Sequence, residues 1–147
     1  MKFYNRETEL KLLNETQKVA FSDHSQMTVL TGRRRIGKTK LILKSCEDTP
    51  TVYLFVGRSN EAQLCSLFAQ IAGKELETYI PQEISSFAGL FEMLMGIGRN
   101  RSYNLVIDEF QEFFYINPSI YSQMQDIWDR YKDTCLLYTS DAADDLT

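Results

Sequence analysis

Apolar residues follow two kinds of pattern along the chain. Short apolar runs, mostly rich in β-branched or aromatic residues, lie at residues 27–32, 51–57 and 105–107, and such runs are typical of buried strands. Between and after them, apolar residues recur at spacings of three and four, which predicts helices. Strands that alternate with helices in this way predict an α/β domain built on a parallel sheet.

Each predicted helix combines an apolar stripe with a starting signal. A leading helix is predicted over residues 6–21, Ser59 or Asn60 would cap a helix at 61–73, a serine would cap one at 85–98, and Pro118 would open the last. Aromatic and methionine residues at this spacing pack in the core far more often than they form a ligand-binding surface. The residues expected to face inward are Leu10, Leu13, Ala20, Leu41, Ile42, Cys46, Leu64, Leu67, Phe68, Ile71, Phe87, Leu90, Phe91, Leu94, Ile97, Ile120, Met124, Ile127 and Trp128.

The segment "TGRRRIGKT" (Thr31–Thr39) carries Gly, four residues, and then Gly-Lys-Thr, the full phosphate-loop pattern. Its glycines let the backbone curl so that N–H groups face phosphate oxygens, Lys38 can reach the β- and γ-phosphates, and the Thr39 hydroxyl can bind Mg²⁺. The predicted strand before the loop and helix after it are the required context, and the helix N-terminus would add positive charge. The simpler alternative is a glycine turn without a ligand. The expected nucleotide-binding residues are Gly32, Arg33, Arg34, Arg35, Ile36, Gly37, Lys38, Thr39 and Lys40.

The three consecutive arginines occupy variable positions of this pattern. They fit either extra positive charge near the triphosphate or a partner, or a solvated basic turn. Only the fixed positions of the pattern have an assigned geometry, so both interpretations stay open.

A second acidic site is predicted downstream. Leu105–Ile107 form a run suited to a parallel strand buried on both faces, and Asp108 and Glu109 follow at its carboxyl end, where open α/β sheets bind ligands. Asp108 would complete the Mg²⁺ shell, and Glu109 would orient or deprotonate an attacking water. Alone, the pair also fits a strand that simply ends in solvent.

These motifs together resemble the prokaryotic AAA+-like P-loop ATPases of the archaeal-type ATPase group. The resemblance rests on "FYNRETELKLL", "TGRRRIGKTKLI", "LVIDEFQEFF" and "NPSIYSQMQDIWD", and it extends from Phe3 to about Asp129. It implies a three-layer αβα fold with strand order 5-1-4-3-2. It also implies that Asn5 and Arg6, with Glu7, lie near the adenine, although an ordinary helix start explains these residues equally well. Gln111 would sense the γ-phosphate or a partner, unless it is simply a polar loop residue.

The resemblance further implies a strand between the phosphate-loop strand and the Asp108 strand. That strand would follow the helix ending near Asp133, and it is absent unless "CLLYTS" replaces it. An empty place would leave unpaired backbone groups in the sheet, at about 1 kcal/mol each. The last strand, an arginine finger and C-terminal domains that would engage an oligomer or DNA are also expected to be missing.

Residues 135–147 closely resemble the translation of a transposon-end sequencing adapter, although a short strand with an acidic tail is the simpler alternative. We therefore expect residues 1–134 to be the N-terminal part of the ATPase domain and residues 135–147 to be a non-native tail.

Composition changes this interpretation little. The 147 residues, 44% of them hydrophobic, suit one domain, and no apolar run approaches the roughly 20 residues that a membrane span needs. Neither a signal peptide nor a disulfide or metal spacing among Cys46, Cys65 and Cys135 is recognisable, which favours a cytoplasmic protein. The formal charge of −4 gives no footprint for nucleic acid.

The sequence thus predicts Mg²⁺-dependent binding and hydrolysis of ATP by a longer parent protein, with Glu109 and Lys38 as catalytic residues. A second hypothesis is a nucleotide-dependent switch with little turnover. A third is a structural partner-binding domain that does not use nucleotide.

Overall fold

The structure is a computed structural model of the chain, and it describes residues 25–31, 39–40, 43–44, 48–131 and 136–141. The described strands form one parallel sheet: β1 (Ser25–Leu30), β2 (Thr51–Phe55), β3 (Asn104–Asp108) and β4 (Leu136–Asp141). The helices are α1 (Glu61–Glu75), α2 (Phe87–Ile97), α3 (Phe113–Ile116) and α4 (Ser119–Tyr131), and a 3₁₀ turn (Phe110–Glu112) lies between β3 and α3. This arrangement confirms the predicted α/β class and the parallel sheet.

Among the described residues, one large buried cluster lies on one face of the sheet. Side chains alternate between the two faces of a strand, and one set on each of β1, β2 and β3 joins the buried cluster formed with α1, α2 and α4. The members contributed by the strands are Met27, Val29, Val52, Leu54, Leu105 and Ile107. Tyr53 and Asp108 occupy intervening positions, so they belong to the opposite face of the sheet.

The predicted helical stripes are largely confirmed. In α2 and α4, all but one of the predicted inward residues are buried, and Ile97 is partly buried against the core. In α1 the prediction for Leu67 is wrong, because this side chain is 48% exposed. The buried face of α1 centres between Cys65 and Phe68, and at about 100° per residue Leu67 points about 130° away from that centre.

Side chains cap the helix starts as predicted. Asn60 Oδ1 accepts a hydrogen bond from the Gln63 N–H (2.8 Å), and Ser86 Oγ accepts one from the Gly89 N–H (3.1 Å). Glu61 adds a link that the sequence did not predict. Its Oε2 accepts from the Phe87 N–H (2.7 Å) and its Oε1 accepts from Asn117 Nδ2 (2.9 Å). One carboxylate therefore ties the start of α1 to the start of α2 and to the turn before α4.

The order of the strands corrects a prediction. The sheet runs β2-β3-β1-β4, so β1 pairs directly with β3, from Gln26↔Asn104 to Val29↔Ile107. The expected empty place between these two strands does not exist, and neither strand lacks a neighbour there. The segment Leu136–Asp141 does form a strand, but it pairs with the other edge of β1. That residues 135–147 are a non-native tail stays a prediction.

Several predictions lie outside the described residues. They are the leading helix, Asn5, Arg6, the loop residues Gly32 to Lys38, and the inward positions Leu41, Ile42 and Cys46. Residues 39–40 and 43–44 are helical, as predicted for the segment after the loop. Within the described part of the chain, none of the helices has both the length and the apolar composition that crossing a membrane requires.

Candidate functional site

Two predicted site residues meet at the carboxyl edge of the sheet. Asp108 is the last residue of β3, and Thr39 lies in a helical segment that comes after β1 in the chain. Thr39 Oγ1 donates a long hydrogen bond to Asp108 Oδ2 (3.4 Å), although the residues are 69 positions apart in the chain. Thr39 is 8% exposed and Asp108 is 3% exposed. The two residues predicted as metal ligands therefore bring their side-chain oxygen atoms together at a buried position.

Hydrogen bonds from several elements hold the Asp108 carboxylate. The Tyr53 hydroxyl, on the neighbouring strand β2, donates to the same Oδ2 atom that Thr39 contacts. The Glu109 N–H donates to Oδ1 (2.9 Å). The Asp108 carbonyl accepts from the Val56 N–H (3.0 Å), which extends the pairing of β2 and β3 to their ends. Both carboxylate oxygens are thus oriented by donors from the surrounding fold.

Glu109 turns the chain sharply after β3. Its backbone is left-handed (φ 58°, ψ 42°), a region that residues with a Cβ atom adopt at a cost of about 1–2 kcal/mol. Gln111 Nε2 donates to Glu109 Oε2 (3.0 Å), so the glutamate carboxylate has a partner on its own turn. A sharp turn places the two acidic side chains at one edge of the sheet with separate environments.

Buried aromatic side chains pack next to this turn and stabilise it. Phe110 and Phe113 are buried with their ring centroids 5.8 Å apart, and the Tyr121 ring lies 5.2 Å from that of Phe110. The Tyr121 hydroxyl also lies 3.0 Å from the carbonyl oxygens of both Phe110 and Gln111, to which it can donate. These contacts hold the left-handed conformation of Glu109 in place, since neighbouring structure must compensate for a locally unfavourable backbone.

A more exposed group of side chains borders the site. Arg58 Nε lies 3.2 Å from Glu112 Oε1, and the Arg58 guanidinium lies over the Tyr115 ring at 5.7 Å. Phe114 and Tyr115 are 58% and 72% exposed. The Arg58 side chain is also largely exposed, so this ion pair contributes little to stability.

The oxygen ligands that the described residues offer suit Mg²⁺ better than a metal that needs many protein ligands. Among the described residues there is no group of three or more His, Cys, Asp or Glu side chains that could hold a metal. Mg²⁺ is commonly held by one or two carboxylates with water and nucleotide phosphates, and it prefers hard oxygen ligands. The Thr39 hydroxyl and the Asp108 carboxylate are such ligands. Lys40, next to Thr39, is exposed.

Tyr53 is the residue of this site that sequence reasoning missed. The run at residues 51–57 was interpreted only as a buried strand, yet Tyr53 is half-buried and reaches Asp108 diagonally across the sheet. The signal in the sequence was a hydroxyl-bearing aromatic residue within a strand. It becomes informative only once the register Phe55↔Asp108 is known.

Comparison with known proteins gives one archaeal relative. The chain is 35% identical over 127 residues to an uncharacterized protein of Methanocaldococcus jannaschii, MJECL04. The match covers 86% of this chain and 26% of the relative, so the chain spans about a quarter of that protein's length. No protein-family model matches the chain. No solved structure matches it either.

Proposed function

We propose that this chain carries the nucleotide site of an AAA+-like P-loop ATPase of the archaeal-type group, which binds Mg²⁺-ATP and hydrolyses its β–γ bond. The observation that supports the proposal best is the contact between Thr39 and Asp108. Thr39 closes the phosphate-loop pattern and Asp108 ends a buried parallel strand, and these are the positions at which such ATPases place their metal ligands.

Each residue has a distinct task in the proposed reaction. The loop amides and Lys38 bind the phosphates, while Thr39 and Asp108 hold Mg²⁺. When bound, the metal neutralises charge that develops on the β- and γ-phosphate oxygens. Glu109 orients the attacking water and accepts its proton, for which a carboxylate on a sharply turned loop beside the metal ligand is well placed.

A second candidate function follows from Gln111. Its amide donates to the Glu109 carboxylate, which is the group proposed to activate water. With Glu109 held in this way, the site would bind nucleotide without activating water, as expected for a nucleotide-dependent switch with little turnover. The two candidates share the binding site and differ only in whether Glu109 leaves Gln111 when ATP is bound.

Nucleotide binding is the first test. We would titrate the purified chain with a fluorescent N-methylanthraniloyl derivative of ATP, with Mg²⁺ and with EDTA. Lys38→Ala should weaken binding about tenfold or more in both conditions, because a charged partner of the phosphates is lost. Lys44→Ala is the matched control, since Lys44 is an exposed lysine at a nearby position in the sequence. Equal affinity of the wild type and the Lys38→Ala variant would rule out the proposed site.

Single-turnover hydrolysis separates the two candidate functions. An ATPase should lose turnover in Glu109→Gln while its affinity for Mg²⁺-ATP is retained. A switch should show negligible turnover in the wild type and gain none from Glu109→Gln. If Glu109→Gln changes neither the rate nor the affinity of an active wild type, the role given to Glu109 is wrong.

A further inference from the structure

We propose that Tyr53 is a positioning residue that holds the Asp108 carboxylate in the orientation needed to bind Mg²⁺. This inference rests on the proposed function, because it concerns the metal at the same site. Neither the phosphate-loop pattern nor the acidic pair includes Tyr53, which lies on a different strand.

The sheet register explains how Tyr53 reaches Asp108. In the pairing of β2 and β3, Tyr53 lies opposite Val106 and Phe55 lies opposite Asp108. Tyr53 and Asp108 are therefore two positions apart on the same face of neighbouring strands. An aromatic side chain is long enough to contact such a diagonal neighbour, and the Tyr53 hydroxyl donates to Asp108 Oδ2.

The choice of oxygen atom links Tyr53 to the metal. Oδ2 is also the atom that Thr39 Oγ1 contacts, so Tyr53 and Thr39 approach one carboxylate oxygen from β2 and from the loop side of β1. The other oxygen, Oδ1, accepts from the Glu109 N–H. With Oδ1 engaged by the backbone, the Tyr53 hydroxyl fixes the remaining oxygen beside the Thr39 hydroxyl, where both can face one cation.

Burial makes this support consequential. Asp108 is 3% exposed, so water does little to orient its carboxylate. Tyr53 is half-buried, and the substitution Tyr53→Phe removes the hydroxyl while it keeps the ring. Outer-shell partners of metal-binding carboxylates typically change metal affinity 10–100-fold when they are mutated. Tyr53→Phe should therefore alter the metal dependence of nucleotide binding more than the fold.

The test is a Mg²⁺ titration at fixed labelled ATP, with the wild type, Tyr53→Phe and the control Tyr79→Phe, which removes a hydroxyl from a highly exposed tyrosine. We expect Tyr53→Phe to raise the Mg²⁺ midpoint about 10-fold or more. Affinity measured in EDTA should stay within about twofold, and Tyr79→Phe should match the wild type. A general packing defect would instead weaken binding in EDTA as well, and that result would overturn the inference.

Two further measurements identify the route through Asp108. In an Asp108→Asn background, adding Tyr53→Phe should not raise the Mg²⁺ midpoint again, because the effects of coupled residues are not additive.

In the wild type, Mg²⁺ should change the tyrosine absorbance of the ATP complex, and this change should be smaller in Tyr53→Phe. Additive effects on the midpoint, or an unchanged midpoint in Tyr53→Phe with a Mg²⁺-dependent wild type, overturn the inference alone. A wild type that binds no nucleotide overturns the proposed function and the inference with it.

Discussion

The left-handed turn at Glu109 leads to a sharp prediction about stability. Two described residues other than glycine have positive φ angles, Glu109 (58°) and Glu77 (51°). Comparing glycine with alanine at each position removes the glutamate side chain in both variants, so the difference reports on the backbone alone. We expect glycine to be the more stable replacement at both positions.

The magnitude follows from two opposing terms. Alanine in the left-handed region costs about 1–2 kcal/mol, whereas glycine adopts it freely but loses about 0.5–1 kcal/mol more chain entropy on folding. The net expectation is that glycine is favoured by about 0.5–1 kcal/mol at Glu109 and Glu77. Gln70, exposed in the middle of α1, is the control, and there alanine should be favoured by about 1 kcal/mol.

Urea unfolding of the six variants would give these differences as shifts in midpoint with a shared slope. The sign must reverse between the helical position and the two turn positions. If alanine is at least as stable as glycine at Glu109, the turn after β3 is not left-handed and the placement of the Glu109 carboxylate is wrong. Single-turnover assays of the same proteins add a check of the proposed ATPase function, which requires that both Glu109 variants lose hydrolysis and that both Glu77 variants keep it.

Two further predictions concern Glu61 and Cys65. Glu61→Gln should lower the free energy of unfolding by about 1–3 kcal/mol, because an amide has only one accepting oxygen for the Phe87 N–H and Asn117 Nδ2. Urea unfolding checks this prediction, with Glu83→Gln at an exposed position as the control. A loss below about 0.5 kcal/mol would contradict it. Burial, with a smaller contribution from the Glu61 charge, raises the pKa of Cys65 from 9.0 to about 12. The pKa of Cys65 is therefore higher in the folded protein than in the unfolded chain. The free energy of unfolding keeps its full value below about pH 9 and falls by up to about 1.4 kcal/mol per pH unit as the pH rises towards 12. Unfolding at about pH 8 and about pH 10.5 should show a smaller loss for Cys65→Ala than for the wild type, and equal losses would refute the assignment.

Local patterns predicted the helices well where the apolar residues lie on one face. In α2, Phe87, Leu90, Phe91 and Leu94 are all buried as expected. In α1 the apolar residues extend around more of the helix, so spacing alone did not show which side meets the sheet. Leu67 was assigned to the wrong side because the small residues Ala69 and Ala72, which pack closely in the core, carry a weak hydrophobic signal.

Strand neighbours were beyond the reach of these patterns. A run such as Leu105–Ile107 indicates burial on both faces, but it does not indicate which strand lies beside it. The resemblance supplied a neighbour for β3 that differs from the observed one. Tyr53 escaped notice for the same reason, because its role depends on the register between β2 and β3 and not on any feature of its own segment.

The two contacts to Asp108 Oδ2 depend on the sheet in different ways. Thr39 approaches from the helical segment that follows β1 in the chain, and β1 is the direct neighbour of β3. Tyr53 approaches from β2, on the other side of β3, where the pairing from Thr51↔Asn104 to Phe55↔Asp108 is independent of what lies beside β1. The Tyr53 hydroxyl therefore reaches Asp108 by a route that does not involve β1, and the metal titration of Tyr53→Phe tests this contact separately from that of Thr39.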